Sequence, residues 1–311
     1  RIIGAKTLLP GNVDKVKLIN AYFGTYQSGG PVNGVDYDPA ADLNSDGRVN
    51  GRDHLMATRQ SNDSDYDIES FTYDKNGNRT KLVQNGDEYR YTYGVRNRLE
   101  KIERKKDGEF AFSDYAVYEY DANGNTTKRT IYGDTETTTI VFEYDTMNRL
   151  VKTTEGSEVT EYFYDNAGNR FIKKNTDKTT IYLRHGQIAV AMDLEISTGN
   201  PKSNRYILSG DLLAGRVTTE YTSGVPATPE KFFYHLDHLN STKCVTNITG
   251  TIEVMYEYKA FGEQLSRKDN TGTDTTDKPK YSYGGKELDD DTELYYFNAR
   301  YYDPTLGRFI N

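Results

Sequence analysis

Residues 120–127 read YDANGNTT, residues 73–80 read YDKNGNRT and residues 164–170 read YDNAGNR. Two variants, YGVRNRL from Tyr93 and YDTMNRL from Tyr144, complete the series. Tyr73, Tyr93, Tyr120, Tyr144 and Tyr164 stand 20, 27, 24 and 20 residues apart. The fillers, such as EVTEYFYD and TIVFEYD, alternate apolar and polar residues, as strands with one buried face require. Gly77, Gly124 and Gly168 sit where a tight turn needs positive φ. Asp74, Asp121, Asp145 and Asp165 can each bond turn amides, and each tyrosine can stack on its predecessor along the sheet. A repeat of this length is two strands and two turns, so each motif punctuates a hairpin. The spacing predicts a mainly β array of antiparallel hairpins.

Composition agrees. The chain of 311 residues has 27 Tyr and no Trp, and Tyr favours strands. Its net charge of −8 and scattered Lys and Arg argue against a nucleic-acid backbone as partner. No apolar run reaches the ~20 residues of a membrane helix. One cysteine, Cys244, excludes a disulfide framework and a cysteine-rich zinc site. It reads as a small packed residue.

Residues 1–60 follow another grammar. DLNSDGRVNGRD, from Asp42 to Asp53, fits a twelve-residue calcium loop. Asp42, Asn44, Asp46, Asn50 and Asp53 supply side-chain oxygens, and Arg48 its carbonyl. Alternate residues of a tight loop can aim such hard oxygens inward. Leu18, Ile19, Tyr22 and Phe23 form one apolar helical face. Gly11-x-Val13-Asp14 is echoed by Gly47-x-Val49-Asn50, 36 residues on. These paired halves resemble a dockerin, whose implied partner is a cohesin-like protein. The first half carries Lys6, Leu8, Pro10 and Lys17 at ligand positions, which cannot hold calcium. One calcium ion is expected, not two. Residues 61–67, SNDSDYD, read as a linker.

The Tyr-Asp-x-x-Gly-Asn motifs resemble the YD repeats of RHS-type proteins. Residues 68–232 form the array. Residues 233–311 resemble the RHS-associated core, in YHLDHLNSTKCVTNITGTIEVMYEYKAFGE and YSYGGKELDDDTELYYFNARYYDPTLGRFIN. The resemblance implies a sheet that spirals on itself and, in full-length relatives, a shell around a C-terminal cargo. Shells that release cargo use a later pair of Asp-Pro motifs. Asp303-Pro304 belongs to the YYDP element instead, so no catalytic residue is carried over.

Little else points to chemistry. His235, Asp237, His238 and Ser241 cluster in sequence. In a strand, His235 and Asp237 share a face while His238 points away, so turn and sheet packing is the plainer reading. Residues 266–280 read as a long exposed loop. The sequence thus predicts a non-enzymatic, secreted or cell-surface β-scaffold. Its open edges would pair copies of the chain into filaments or tubes. The alternatives are a shell fragment of an RHS toxin and a cohesin-binding protein.

Overall fold

The computed structural model describes residues 69–185, 189–197, 201–210, 212–269, 271–272 and 279–311. The chain runs through β1 (Glu69–Tyr73), β2 (Arg79–Gln84), β3 (Asp87–Tyr93), β4 (Leu99–Lys105), β5 (Ser113–Tyr120), β6 (Thr126–Tyr132) and β7 (Thr137–Tyr144). Next come β8 (Leu150–Glu155), β9 (Glu158–Tyr164), β10 (Arg170–Lys174), β11 (Lys178–His185), β12 (Ala189–Ser197) and β13 (Lys202–Ser209). Then follow β14 (Leu212–Thr222), β15 (Val225–Pro226), β16 (Glu230–Leu236), β17 (Thr242–Asn247), β18 (Ile252–Tyr258) and β19 (Gln264–Lys268). Among the described residues these nineteen strands make one sheet. Each pairs antiparallel with its successor, except that β14 bridges both β15 and β16. A smaller sheet holds β20 (Glu287–Asp289), β21 (Leu294–Tyr296), β22 (Tyr301–Asp303) and β23 (Arg308–Phe309).

Period-2 patterning decides which face is buried. Ala116 and Tyr118 of β5, Ile140 and Phe142 of β7, and Val254 and Tyr256 of β18 all point to one face. The opposite face carries charge. Lys128–Glu119, Lys152–Glu143 and Lys174–Glu161 pair across neighbouring strands at 3.0, 2.8 and 3.9 Å. Such exposed pairs contribute little stability, but they keep this face polar.

The turns repeat one geometry. The residue four after each repeat tyrosine has positive φ: Gly77 (81°), Asn97 (56°), Gly124 (101°), Asn148 (59°) and Gly168 (82°). Asn240 (64°) and Gly262 (95°) hold the same place after Leu236 and Tyr258. The array therefore extends through two disguised copies, LDHLN and YKAFG, that lack the written motif. Successive repeats are tied by tyrosine hydroxyls, not by the expected ring stacking. Tyr93, Tyr120, Tyr164 and Tyr258 donate to the carbonyls of Arg79, Leu99, Leu150 and Thr242, at 2.7–2.9 Å.

The sheet curves for a local reason. Register slips at Thr72/Tyr73, Thr92/Tyr93, Glu119/Tyr120, Glu143/Tyr144, His235/Leu236 and Glu257/Tyr258. Each slip bends its strand and adds twist. Repeated once per hairpin, the bends bring the two ends of the sheet together. Phe71 of β1 meets Phe261, in the β18–β19 turn, edge to face at 5.2 Å. The Arg79 guanidinium lies over both rings, 4.7 and 4.6 Å from their centres. Gly307 is required at this joint, because it has φ +68° and a Cβ there would stand 2.7 Å from Phe261.

Helix among the described residues is confined to two 3-10 turns, Val95–Asn97 and Tyr283–Gly285. The expected helical module of residues 1–60 lies outside the described residues. So do its calcium ligands Asp42, Asn44, Asp46, Arg48, Asn50 and Asp53, and the linker 61–67. Of the loop expected at 266–280, residues 270 and 273–278 are likewise outside them, and its first three residues, 266–268, are instead the end of β19, where they pair with β18.

Candidate functional site: the seam between the sheet and the C-terminal segment

Residues 279–311 lie along the buried face of the large sheet. Leu294, Tyr296, Tyr301 and Ile310 share a core with Ile140, Phe142, Leu150 and Tyr162. Burying each such side chain contributes roughly 1.5–3 kcal/mol. The backbone joins in: Thr126 N–H donates to the Ile310 carbonyl at 2.8 Å, and Thr242 N–H to the Ser282 carbonyl at 3.0 Å. Tyr295 Oη donates to the Gly262 carbonyl at 3.0 Å, and Tyr302 Oη to the Phe261 carbonyl at 2.9 Å.

The polar part of the seam starts from the repeat. The residue six after each repeat tyrosine points inward: Arg79, Leu99, Thr126, Leu150 and Arg170 are all buried. At two of these places the chain writes arginine instead of an apolar or small residue. Arg79 closes the joint described above and donates to the Thr305 carbonyl at 3.0 Å. Arg170 is 1% exposed and sits at the centre of the seam. Its Nη1 lies 2.7 Å from Asp289 Oδ2 and its Nη2 2.8 Å from Glu287 Oε2. It also donates to Tyr301 Oη and Tyr182 Oη, at 3.0 and 3.2 Å. Tyr296 lies under the guanidinium, 4.3 Å from ring centre to carbon. Tyr182 Oη donates to Glu287 at 2.5 Å.

Two further pairs flank it. Lys173 reaches Asp289 and Asp291 at 3.2 and 2.9 Å. Arg129 of β6 meets Asp303 at 2.8 Å and donates to the Thr292 carbonyl at 3.2 Å. On β12 the polarity is reversed. Asp193 and Glu195 receive Lys280 of the C-terminal segment at 3.0 and 2.8 Å. Asp193 also accepts from Asn204 Nδ2 and Tyr206 Oη, at 2.9 and 2.6 Å.

The electrostatics follow from this pairing. Burial would push Asp289 up, but Arg170 and Lys173 outweigh it and hold the carboxyl below its ordinary value. Burial also opposes charge on Arg170, yet Asp289 and Glu287 keep it charged far into the alkaline range. Burial pushes the Tyr301 and Tyr182 hydroxyls well up, so both remain neutral donors. Every carboxylate named here is committed to a cation. The seam is therefore an anchor of opposite charges, with no activated nucleophile or base among these groups.

The repeat residues singled out from sequence act in the turns. Asp74 Oδ1 accepts from the amides of Asn76 and Asn78, both at 2.8 Å. Asp121 accepts from Gly124 and Asn125, Asp145 from Met147 and Arg149, and Asp165 from Ala167 and Asn169. Tyr73 is 48% exposed, and the other repeat tyrosines are half-buried. Asp237 is another turn cap, accepting from Leu239 and Ser241 at 2.8 and 2.9 Å. Ser241 Oγ is spent on Gly284 N–H at 3.0 Å, and His235 Nε2 meets Thr246 Oγ1 at 3.0 Å. These contacts place Asp237 and Ser241 in turn packing and His235 in the sheet, while His238 is exposed. Burial pushes the Cys244 thiol up to about 12, consistent with a packed residue. No group of three or more His, Cys, Asp or Glu among the described residues is placed to hold a metal ion. Sequence reasoning missed Arg129, Arg170, Asp289 and Asp303. Its one available signal was arginine at an inward repeat position.

Comparison with known proteins bears on this geometry. The Teneurin YD-shell family profile matches residues 46–311. The tRNA nuclease WapA of Bacillus subtilis strain 168 is 29% identical over 252 residues, which cover 78% of this chain and 9% of the nuclease. The double-stranded DNA deaminase toxin A of Burkholderia cenocepacia strain H111 is 28% identical over 215 residues, 62% of this chain and 15% of the toxin. The chain thus spans a small part of each relative's length. Among solved structures, TcdB2-TccC3 without its hypervariable C-terminal region aligns at 18% identity and a TM-score of 0.45, covering 80% of this chain and 16% of that one.

Proposed function

The chain belongs to the teneurin YD-shell family, and from that premise we propose that it is a shell segment of a YD-repeat toxin. In this reading the curved sheet grips residues 279–311 and so fixes where the polypeptide leaves the shell. The observation that carries it is the buried seam, where Arg129, Arg170 and Lys173 of the sheet clamp Asp303, Asp289 and Asp291. The segment is non-enzymatic and acts outside the producing cell or at its surface. The nuclease and the deaminase toxin among its relatives support this reading over the self-assembling structural scaffold that sequence suggested. The scaffold expectation accordingly gives way. Sequencing the full transcript tests the proposal. It is expected to run past Asn311 into a domain without YD repeats. A reading frame that closes at Asn311 overturns it.

The spacing of hard oxygens from Asp42 to Asp53 supports a second, separate proposal of one bound calcium ion. Titration calorimetry on the full chain should show one site, lost in Asp46→Ala. No heat of binding, or an unchanged site in that variant, removes calcium from the description.

A further inference from the structure

A cavity of about 340 Å³ opens beside the seam, between β11–β14 and the Tyr283–Gly285 turn. The size falls at the lower end of small-molecule sites, which span roughly 300–1,000 Å³. Its lining includes three cations, Arg170, Arg184 and Lys286, against one acid, Glu287. Glu287 is already held by Arg170, so Arg184 and Lys286 leave the lining positive. This is unusual in a chain whose net charge is −8.

Three buried polar atoms in the lining are unspent: Arg170 Nε, whose guanidinium belongs to the seam, and two others. These two, Arg184 Nε and Tyr281 Oη, have no hydrogen-bond partner among the described residues. A buried donor left in this state costs roughly 1–3 kcal/mol. Nothing in the seam uses either group. The lining also includes the apolar side chains of Val190, Leu213 and Leu236. Leu208, at 36% exposure, and the exposed Asn240 and Asn298 border the mouth, so the cavity communicates with solvent.

We propose that this cavity binds a small organic anion, one carboxylate on a compact apolar or single-ring body. The carboxylate would accept from Arg184 and Tyr281, supplying the partners both lack. The body would rest on Leu213 and Leu236. A charge-assisted bond to a guanidinium is short and strong in such a setting. A neutral amide of the same shape fills the same volume but brings no charge to the arginine.

Benzoate and benzamide separate these contributions. In titration calorimetry on the full chain, benzoate should bind and benzamide should bind at least roughly tenfold more weakly. Arg184→Gln should weaken benzoate by roughly tenfold and leave benzamide unchanged. Circular dichroism checks that the variant is folded. If it is not, Lys286→Gln decides, with benzoate expected to weaken and benzamide to stay the same. No benzoate binding at millimolar concentration overturns the proposal. So does benzamide binding as tightly as benzoate, or benzoate affinity unchanged in the deciding variant.

Discussion

One oxygen of Asp165 accepts from the amides of Ala167 and Asn169 at 2.9 and 2.8 Å, and the pattern recurs at Asp74, Asp121 and Asp145. The charged form is the one these amides favour. Hydrogen bonds from Asn169 hold Asp165 below its ordinary value, and those from Asn78 do the same for Asp74. At Asp121 and Asp145 partial burial pushes up, but hydrogen bonds from the turn outweigh it, joined at Asp145 by the Arg149 guanidinium, and both are lowered. A folded-state value below the unfolded one means stability that is fully present above the unfolded value, about 3.9. It is lost as pH falls through that value toward the lower folded one. Glu293 works the other way, since burial raises it. Four lowered turn carboxylates against one raised glutamate give the sign. Urea midpoints measured from about pH 5 down to pH 3 should fall steadily, and a flat profile would contradict the turn assignment.

At the level of elements, the array is one hairpin repeated with a bend in it. The positive-φ residue and the register slip come together at each turn, so punctuation and curvature have the same origin. Alternation then assigns faces: Tyr118 of β5 and Phe142 of β7 go inward, while Glu119 and Glu143 go outward. These features were legible in the sequence, because turn chemistry and period 2 are local. The copies at Leu236 and Tyr258 were not read as repeats, since Leu replaces Tyr in one and Lys259 replaces Asp in the other. What the fold requires there is positive φ at the fifth position, and Asn240 and Gly262 supply it. The ring stack expected of the repeat tyrosines gave way to hydroxyl-to-carbonyl bonds reaching 14–21 residues back. A buried phenol gains by satisfying its O–H, and at these four tyrosines the neighbouring strand offers the carbonyl, whereas Tyr144 Oη is buried without a partner among the described residues.

At the scale of the whole molecule, the sheet and residues 279–311 stabilise each other. The sheet's inner face is apolar and would otherwise meet water, and the short strands β20–β23 have too little core of their own. Arg170 makes this dependence measurable. Arg170→Ala strands Asp289 and Glu287 in a buried site without their main counter-charge. Breaking a buried pair from one side costs about 3–5 kcal/mol. Urea denaturation should show a loss of that order, and a change of under about 1 kcal/mol would mean the seam is not an anchor.

The sequence alone determined the hairpin, its turns, its alternating faces and the family those letters resemble, because each is a property of a few adjacent residues. Tertiary structure decided that the sheet bends until Phe71 reaches Phe261, and that Arg170 meets Asp289 across 119 residues. It also decided that Arg184 and Tyr281 share one cavity. Those outcomes depend on small bends summed over many hairpins. A change of a few degrees at each turn would leave every local pattern intact and separate all three pairs.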